Sequence, residues 1–112
     1  MKKITITSIK LKNPLLFFKL SLASLQVVRQ IKKTNVLDFK SQGIWTLHYT
    51  MTLWENEGEI KDFARQGGHL AAMKKSAELA SEIRILTIDA DKLPKWKVAK
   101  KMLKEQGKLY KY

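Results

Sequence analysis

The chain has 112 residues, which suits a single domain with a modest core, and no stretch of it divides that core in two. It contains no cysteine, which excludes disulfides, thiol nucleophiles, thiolate zinc sites and iron–sulfur clusters. Lys and Arg number 22 against 10 Asp and Glu, a formal net charge of +12.

Much of that charge sits in Lys92 to Tyr112, where eight lysines face one acid, Glu105. Such a block can bind phosphate backbones or anionic surfaces by counterion release. Lysine outnumbers arginine 19 to 3, however, and arginine is the side chain suited to bidentate phosphate and base recognition. The block therefore reads as a solvated lysine face, and nucleic acid is not the expected partner.

The start Met1-Lys2-Lys3 is basic, but Ile4 to Ile9 alternates with Thr and Ser, and the apolar run Leu15 to Leu25 is broken by Lys19. No compact apolar region with a small-residue cleavage site follows, so no secretory signal is expected. No charge-free run reaches the roughly 18 apolar residues of a membrane span. The expected location is cytoplasmic.

Alternation of β-branched and polar residues predicts a first strand over about 3–11. Asn13-Pro14 is a helix start, and Leu15, Leu16, Phe18, Leu20, Leu22, Leu25, Val28 and Ile31 give an apolar face to a helix over about 14–33. Val36 to Lys40 is a short strand, with Ser41-Gln42-Gly43 as the turn that reverses the chain. A third strand over about 44–54 has two unlike faces: Trp45, Leu47, Tyr49, Met51 and Leu53 form a core side, and Thr46, His48, Thr50 and Thr52 a polar side.

Asn56 stands three residues before Glu59, a capping box that opens a helix to about Gln66 with Ile60, Phe63 and Ala64 as its buried stripe. Gly67-Gly68 interrupts the pattern, which resumes through Leu70, Met73 and Ala77 to about Ala80. Ile83 to Ile88 reads as a fourth strand and 94–106 as a last helix, with Trp96, Ala99 and Leu103 as its contacts. Gly107 stops that helix, and 108–112 reads as a loose tail. The order β-α-β-β-α-β plus a terminal helix is the ferredoxin-like α+β arrangement, one antiparallel sheet with helices on one face. A permanent dimer is a natural way for a chain of this size to cover an open sheet.

The stretch from Tyr49 to Ser76, a strand ending in Trp-Glu that runs into Phe-Ala-Arg and then His-Leu-x-Ala-Met, resembles the dimeric α+β barrel proteins. These include the antibiotic-biosynthesis monooxygenase-like domains and uncharacterised domains related to spheroidene monooxygenase. Leu93-Pro94-x-Trp96-x-x-Ala99 is similar to an element after the last strand in the uncharacterised group. The resemblance implies a homodimer whose sheets close face to face into a barrel, with a ligand pocket between the sheet and the second helix.

Haem-degrading relatives use an asparagine on the first strand, a tryptophan ending the third and a histidine on the second helix. Trp54 matches the tryptophan, but the first strand offers only Thr5, Thr7 and Ser8, and the histidine falls on Met73. Haem is therefore not the expected cofactor. Similarity to the spheroidene-type relatives puts a ligand or proton-transfer role on His69.

Read from the residues themselves, His69 follows two glycines, which lets a ligand approach closely, or else it is a histidine at a helix kink. His48 on the threonine face reads as a hydrogen-bonded interface histidine. The two histidines are far apart in sequence with no third ligand beside them, so no metal site is expected. Tyr49, Trp54, Trp45 and Phe63 are an aromatic wall for a flat substrate or the core between sheet and helix. Met73 is a candidate ligand contact, a thioether able to ligate haem iron, or else a gap filler in the core. Glu55, Glu57, Glu59 and Asp62 are explained by the helix dipole, and no phosphate loop or nucleophile elbow is present.

The sequence thus predicts a homodimer that binds an apolar or aromatic small molecule, oxygenase-like in activity. His69 is the candidate catalytic residue, and Tyr49, Trp54, Phe63 and Met73 are candidate ligand contacts. A non-enzymatic binding dimer is the alternative, and an anionic-surface binder acting through the lysine-rich C-terminus is the third reading.

Overall fold

A computed structural model describes residues 2–13, 29, 36–44, 46–65, 78 and 80–111. Its core element is a five-stranded sheet in the order β2-β3-β1-β4-β5. The strands are β1 (Lys3–Leu11), β2 (Asp38–Ile44), β3 (Leu47–Trp54), β4 (Ala80–Asp89) and β5 (Lys108–Lys111). Every neighbouring pair is antiparallel. Two helices are described, α1 (Glu57–Arg65) and α2 (Trp96–Gln106). This is a ferredoxin-like α+β fold. The segments predicted as helices over 14–33 and 70–80 lie outside the described residues, apart from helical Arg29 and Glu78 and from Ala80, which opens β4.

β1 is central, and alternation along it sorts the sheet into two faces. Its even positions Ile4 and Ile6 are 1% and 0% exposed. They align with Leu53 and Met51 on β3 and with Ile88 and Leu86 on β4. Ala99 and Leu103 of α2 close over these rows, with Leu93 beside them. Each large apolar side chain buried there contributes about 1.5–3 kcal/mol.

The opposite face carries a separate cluster in which Trp54 and Phe63 pack with Val36, Phe39 and Ile60. α1 begins as predicted, with the Glu59 amide donating to Asn56 Oδ1 at 3.1 Å. Its Ile60 and Phe63 cover Trp54, whose indole Nε1 donates to Thr52 Oγ1 at 2.7 Å. The two described helices therefore lie on opposite faces of the sheet. Helices on one face alone was the expectation, and the terminal helix departs from it because Met51 and Leu53 supply an apolar face that α2 is placed to bury.

Two further expectations are corrected. Ser41-Gln42-Gly43 is not the reversing turn; it continues β2, which pairs with β3 from Asp38 to Ile44. Gly43 has a packing role there: it is the cross-strand partner of His48, and a Cβ on it would stand 2.7 Å from the imidazole Nδ1. The tail is not loose either. α2 stops at Gly107, whose amide donates to the Leu103 carbonyl at 2.8 Å and where a Cβ would collide with that same oxygen. The chain then turns into β5 along the edge of β4, from Glu82↔Lys111 to Ile85↔Lys108. All four β5 side chains are exposed, so main-chain pairing holds the strand and its side-chain pattern could not announce it.

A chain ending at Gln106 should keep its fold but lose protection in β4. Hydrogen exchange at the amides between Glu82 and Ile85 should accelerate, while those of β1 remain slow.

Candidate functional site

The row order of the α2-covered face continues past the apolar core and changes character. After Met51–Ile6–Leu86 comes Tyr49–Ser8–Arg84, and then Leu47–Lys10–Glu82. α2 covers the apolar rows, so the polar rows are left beside it as the floor of an open cleft of about 530 Å³. The helix contributes the other wall through Lys100, Lys101, Leu103 and Lys104.

Tyr49 is the organising side chain. Its ring lies 6.3 Å from that of Trp96, and Lys100 Nζ sits 4.7 Å from its centroid. A cation over an aromatic face at a half-exposed site contributes about 0.5–1 kcal/mol. Arg84 reaches from β4 to the end of α2, donating from Nη1 to the Lys104 carbonyl at 3.1 Å. That carbonyl belongs to the last turn, where a cation also meets the negative end of the helix dipole.

The electrostatics are one-sided, because among the described residues five cationic side chains line the cleft against one carboxylate, Glu82. The ion pairs of the described residues are Lys3–Asp89 at 2.6 Å and Lys61–Glu57 at 3.8 Å. Neither involves a cleft residue. Hydrogen bonding to Asp89 holds Lys3 above its ordinary pKa and Asp89 below its own, but that pair is exposed at the far end of β1.

Of the residues singled out from the sequence, Tyr49 lines the cleft. Trp54 and Phe63 lie on the opposite face, 1% and 7% exposed, with ring centroids 5.2 Å apart. Tyr49 and Trp54 therefore do not share a wall. His69, Met73 and Trp45 lie outside the described residues. The haem-degrading arrangement finds no fit among the described residues: Trp54 is packed on Phe63 and bonded to Thr52, and the Thr5 hydroxyl pairs with Thr87 at 3.0 Å. No group of three potential metal ligands occurs among the described residues. None of their helices is long and apolar enough to cross a membrane.

The cleft cations Lys10, Arg84, Lys100, Lys101 and Lys104 were missed as site residues. The signal was available in part, since Lys100, Lys101 and Lys104 lie within one helical turn of one another. Their pairing with Lys10 and Arg84 depends on strand register.

His48 stands on the α1 face, half-buried against Gly43. Burial lowers its pKa from the ordinary 6.5.

No protein-family model and no curated protein sequence matches the chain. Solved structures do. A candidate antibiotic biosynthesis monooxygenase from Caulobacter crescentus CB15 superposes with a TM-score of 0.72 at 12% identity, over 81% of this chain and 91% of that one. A dimeric ferredoxin-like protein of unknown function from Jannaschia sp. CCS1 gives 0.73 at 6% identity, over 80% and 100%. SnoaB, a cofactor-independent oxygenase from Streptomyces nogalater, gives 0.62 at 12% identity, over 84% and 98%. At these identities the likeness is one of fold: the chain has the fold of the antibiotic biosynthesis monooxygenase-like proteins.

Because the folded His48 resists protonation, the unfolded chain takes up its proton first as pH falls below about 6.5. The stability contribution is complete above that value and is lost as pH drops toward the folded pKa. Urea midpoints between pH 7.5 and 5 should fall, and fall less in His48→Asn. Gly43→Ala should cost about 1–3 kcal/mol by overpacking and much less in a His48→Ala background, a coupling that a double-mutant cycle measures.

Proposed function

We propose that the chain is a homodimeric small-molecule-binding protein that acts on an apolar or aromatic substrate by an oxygenase-type reaction without a resident cofactor. The observation that carries this reading is the cleft beneath α2, in which the Tyr49 ring stands at the edge of a packed apolar core beside open volume. Its size falls within the range of about 300–1,000 Å³ used by small-molecule sites. The fold it shares with a cofactor-independent oxygenase supports the reaction class.

In such a reaction the protein's task is to position the substrate, limit water and take up a proton. Tyr49 is the proposed positioning surface. His69 is the proposed proton-transfer residue, and Met73 a proposed ligand contact. Trp54 and Phe63 are proposed as support for the sheet from the other side. Dimerisation is supported by the dimeric neighbour of the same fold. The outer edge of β2, unpaired among the described residues, is a place where another copy can dock.

Light scattering at micromolar concentration should return the mass of two chains; a monomer would remove the dimer from this reading. N-phenyl-1-naphthylamine, an uncharged aromatic probe, should brighten on titration into the protein and bind about tenfold more weakly to Tyr49→Ala, which corresponds to about 1.4 kcal/mol. Absence of binding to the unaltered protein would overturn the ligand site. Oxygen uptake with a panel of phenolic compounds, repeated with His69→Ala, tests the reaction class and the proton-transfer role.

A further inference from the structure

The charge in the cleft calls for an explanation beyond solubility. A lysine face that serves only solvation points outward, along one side of one helix. Here cations arrive from three elements, Lys10 on β1, Arg84 on β4, and Lys100, Lys101 and Lys104 on α2, and they surround one concave volume. No ion pair neutralises any of them among the described residues. Holding like charges around a cavity raises the energy of the empty site, and an anion entering it relieves that repulsion.

The floor is not uniformly charged. Leu47 and Tyr49 line one part of it, Leu103 faces them from the helix wall, and Trp96 backs the Tyr49 ring. Lys100 sits over the ring itself, so the boundary between apolar floor and cationic rim runs through a single contact. Lysines predominate, and lysine acts as a mobile point charge that does not demand one bidentate geometry.

We infer that the cleft between α2 and the Tyr49–Ser8–Arg84 row binds an aromatic small molecule that carries an anionic group, a carboxylate, sulfonate or phosphate. The ring rests on Tyr49 and Leu47, and the acid group is held by Lys100, Lys101 and Lys104 from above and by Arg84 from the sheet. Glu82, in the outermost row beside Lys10, sets the polarity of the site: the acid group turns away from it, toward the helix. This inference rests on the small-molecule reading above and specifies the ligand class for the same cleft.

A matched pair of probes separates the two ideas. 8-Anilinonaphthalene-1-sulfonate is N-phenyl-1-naphthylamine with one sulfonate added, so the difference in their affinities reports the charge. The sulfonate should bind about tenfold more tightly at low ionic strength, and the margin should shrink at about 0.5 M salt, where the screening length falls to a few Å. The triple variant Lys100→Gln, Lys101→Gln, Lys104→Gln should lose the margin, so that the two probes bind it with equal affinity. Lys101 and Lys104 are exposed and Lys100 is half-buried, and an unchanged melting temperature would show that the fold is intact. Tyr49→Ala should weaken both probes.

Equal affinity for the two probes would overturn the anionic class and leave the aromatic site standing. Binding of neither would overturn both. A sulfonate preference that survives the triple variant would place the anion elsewhere and refute the inference. Displacement of the sulfonate probe by a single-stranded oligonucleotide at far lower concentration than by benzoate would also refute it, in favour of an extended polyanion surface.

Discussion

The register of β1 against its two neighbours is the constraint on which the rest of the structure depends. Once Ile6 is opposite Met51 and Leu86, Ser8 must lie between Tyr49 and Arg84, and Lys10 between Leu47 and Glu82. A slip of one residue would move Ile4 and Ile6 to the other face and destroy both the core and the cleft. The irregularity between Lys10 and Leu11 comes only after the last of these rows. Core and candidate site are thus two ends of one face, graded from aliphatic to charged along a single strand direction.

The two described helices follow from the same alternation. α2 goes where Met51, Ile6 and Leu86 offer an apolar surface, and α1 goes where Trp54 and Phe39 do. A sheet covered on both faces has fewer rows open to solvent, and those left beside α2 are the ones that carry polar groups. The cleft is what remains after a helix of limited length has covered part of a longer face.

Local pattern made much of the fold legible. β1 could be read from Ile4-Thr5-Ile6-Thr7, the two-faced β3 from Met51 and Leu53 set against Thr50 and Thr52, and the start of α1 from Asn56 and Glu59. Each signal lies within a few residues of what it determines. The misread positions depend on distant partners. Gly43 resembles a turn residue until His48 is seen to pack against it, and Lys108 to Lys111 resembles a tail until the free edge of β4 is placed beside it. The candidate site was only partly legible for the same reason. Tyr49 was visible on its strand, whereas the association of Lys10, Arg84 and Lys100 across 90 positions of sequence is a product of strand pairing and of where α2 packs on the sheet. Grouping Tyr49 with Trp54 overlooked that an odd and an even position on one strand face opposite ways.

The grading of rows also bears on how such a protein can change. Ile4 and Ile6 are nearly inaccessible, and substitutions there are felt by the whole domain. Two and four residues further along the same strand, Ser8 and Lys10 line the open volume. Selection on ligand preference can therefore act mainly through one end of a strand while selection on stability acts mainly through the other, with Tyr49 and Leu103 as the side chains the two ends share. Divergent descendants of such a sheet could exchange one ligand for another and remain superimposable, even after their sequences have ceased to resemble each other.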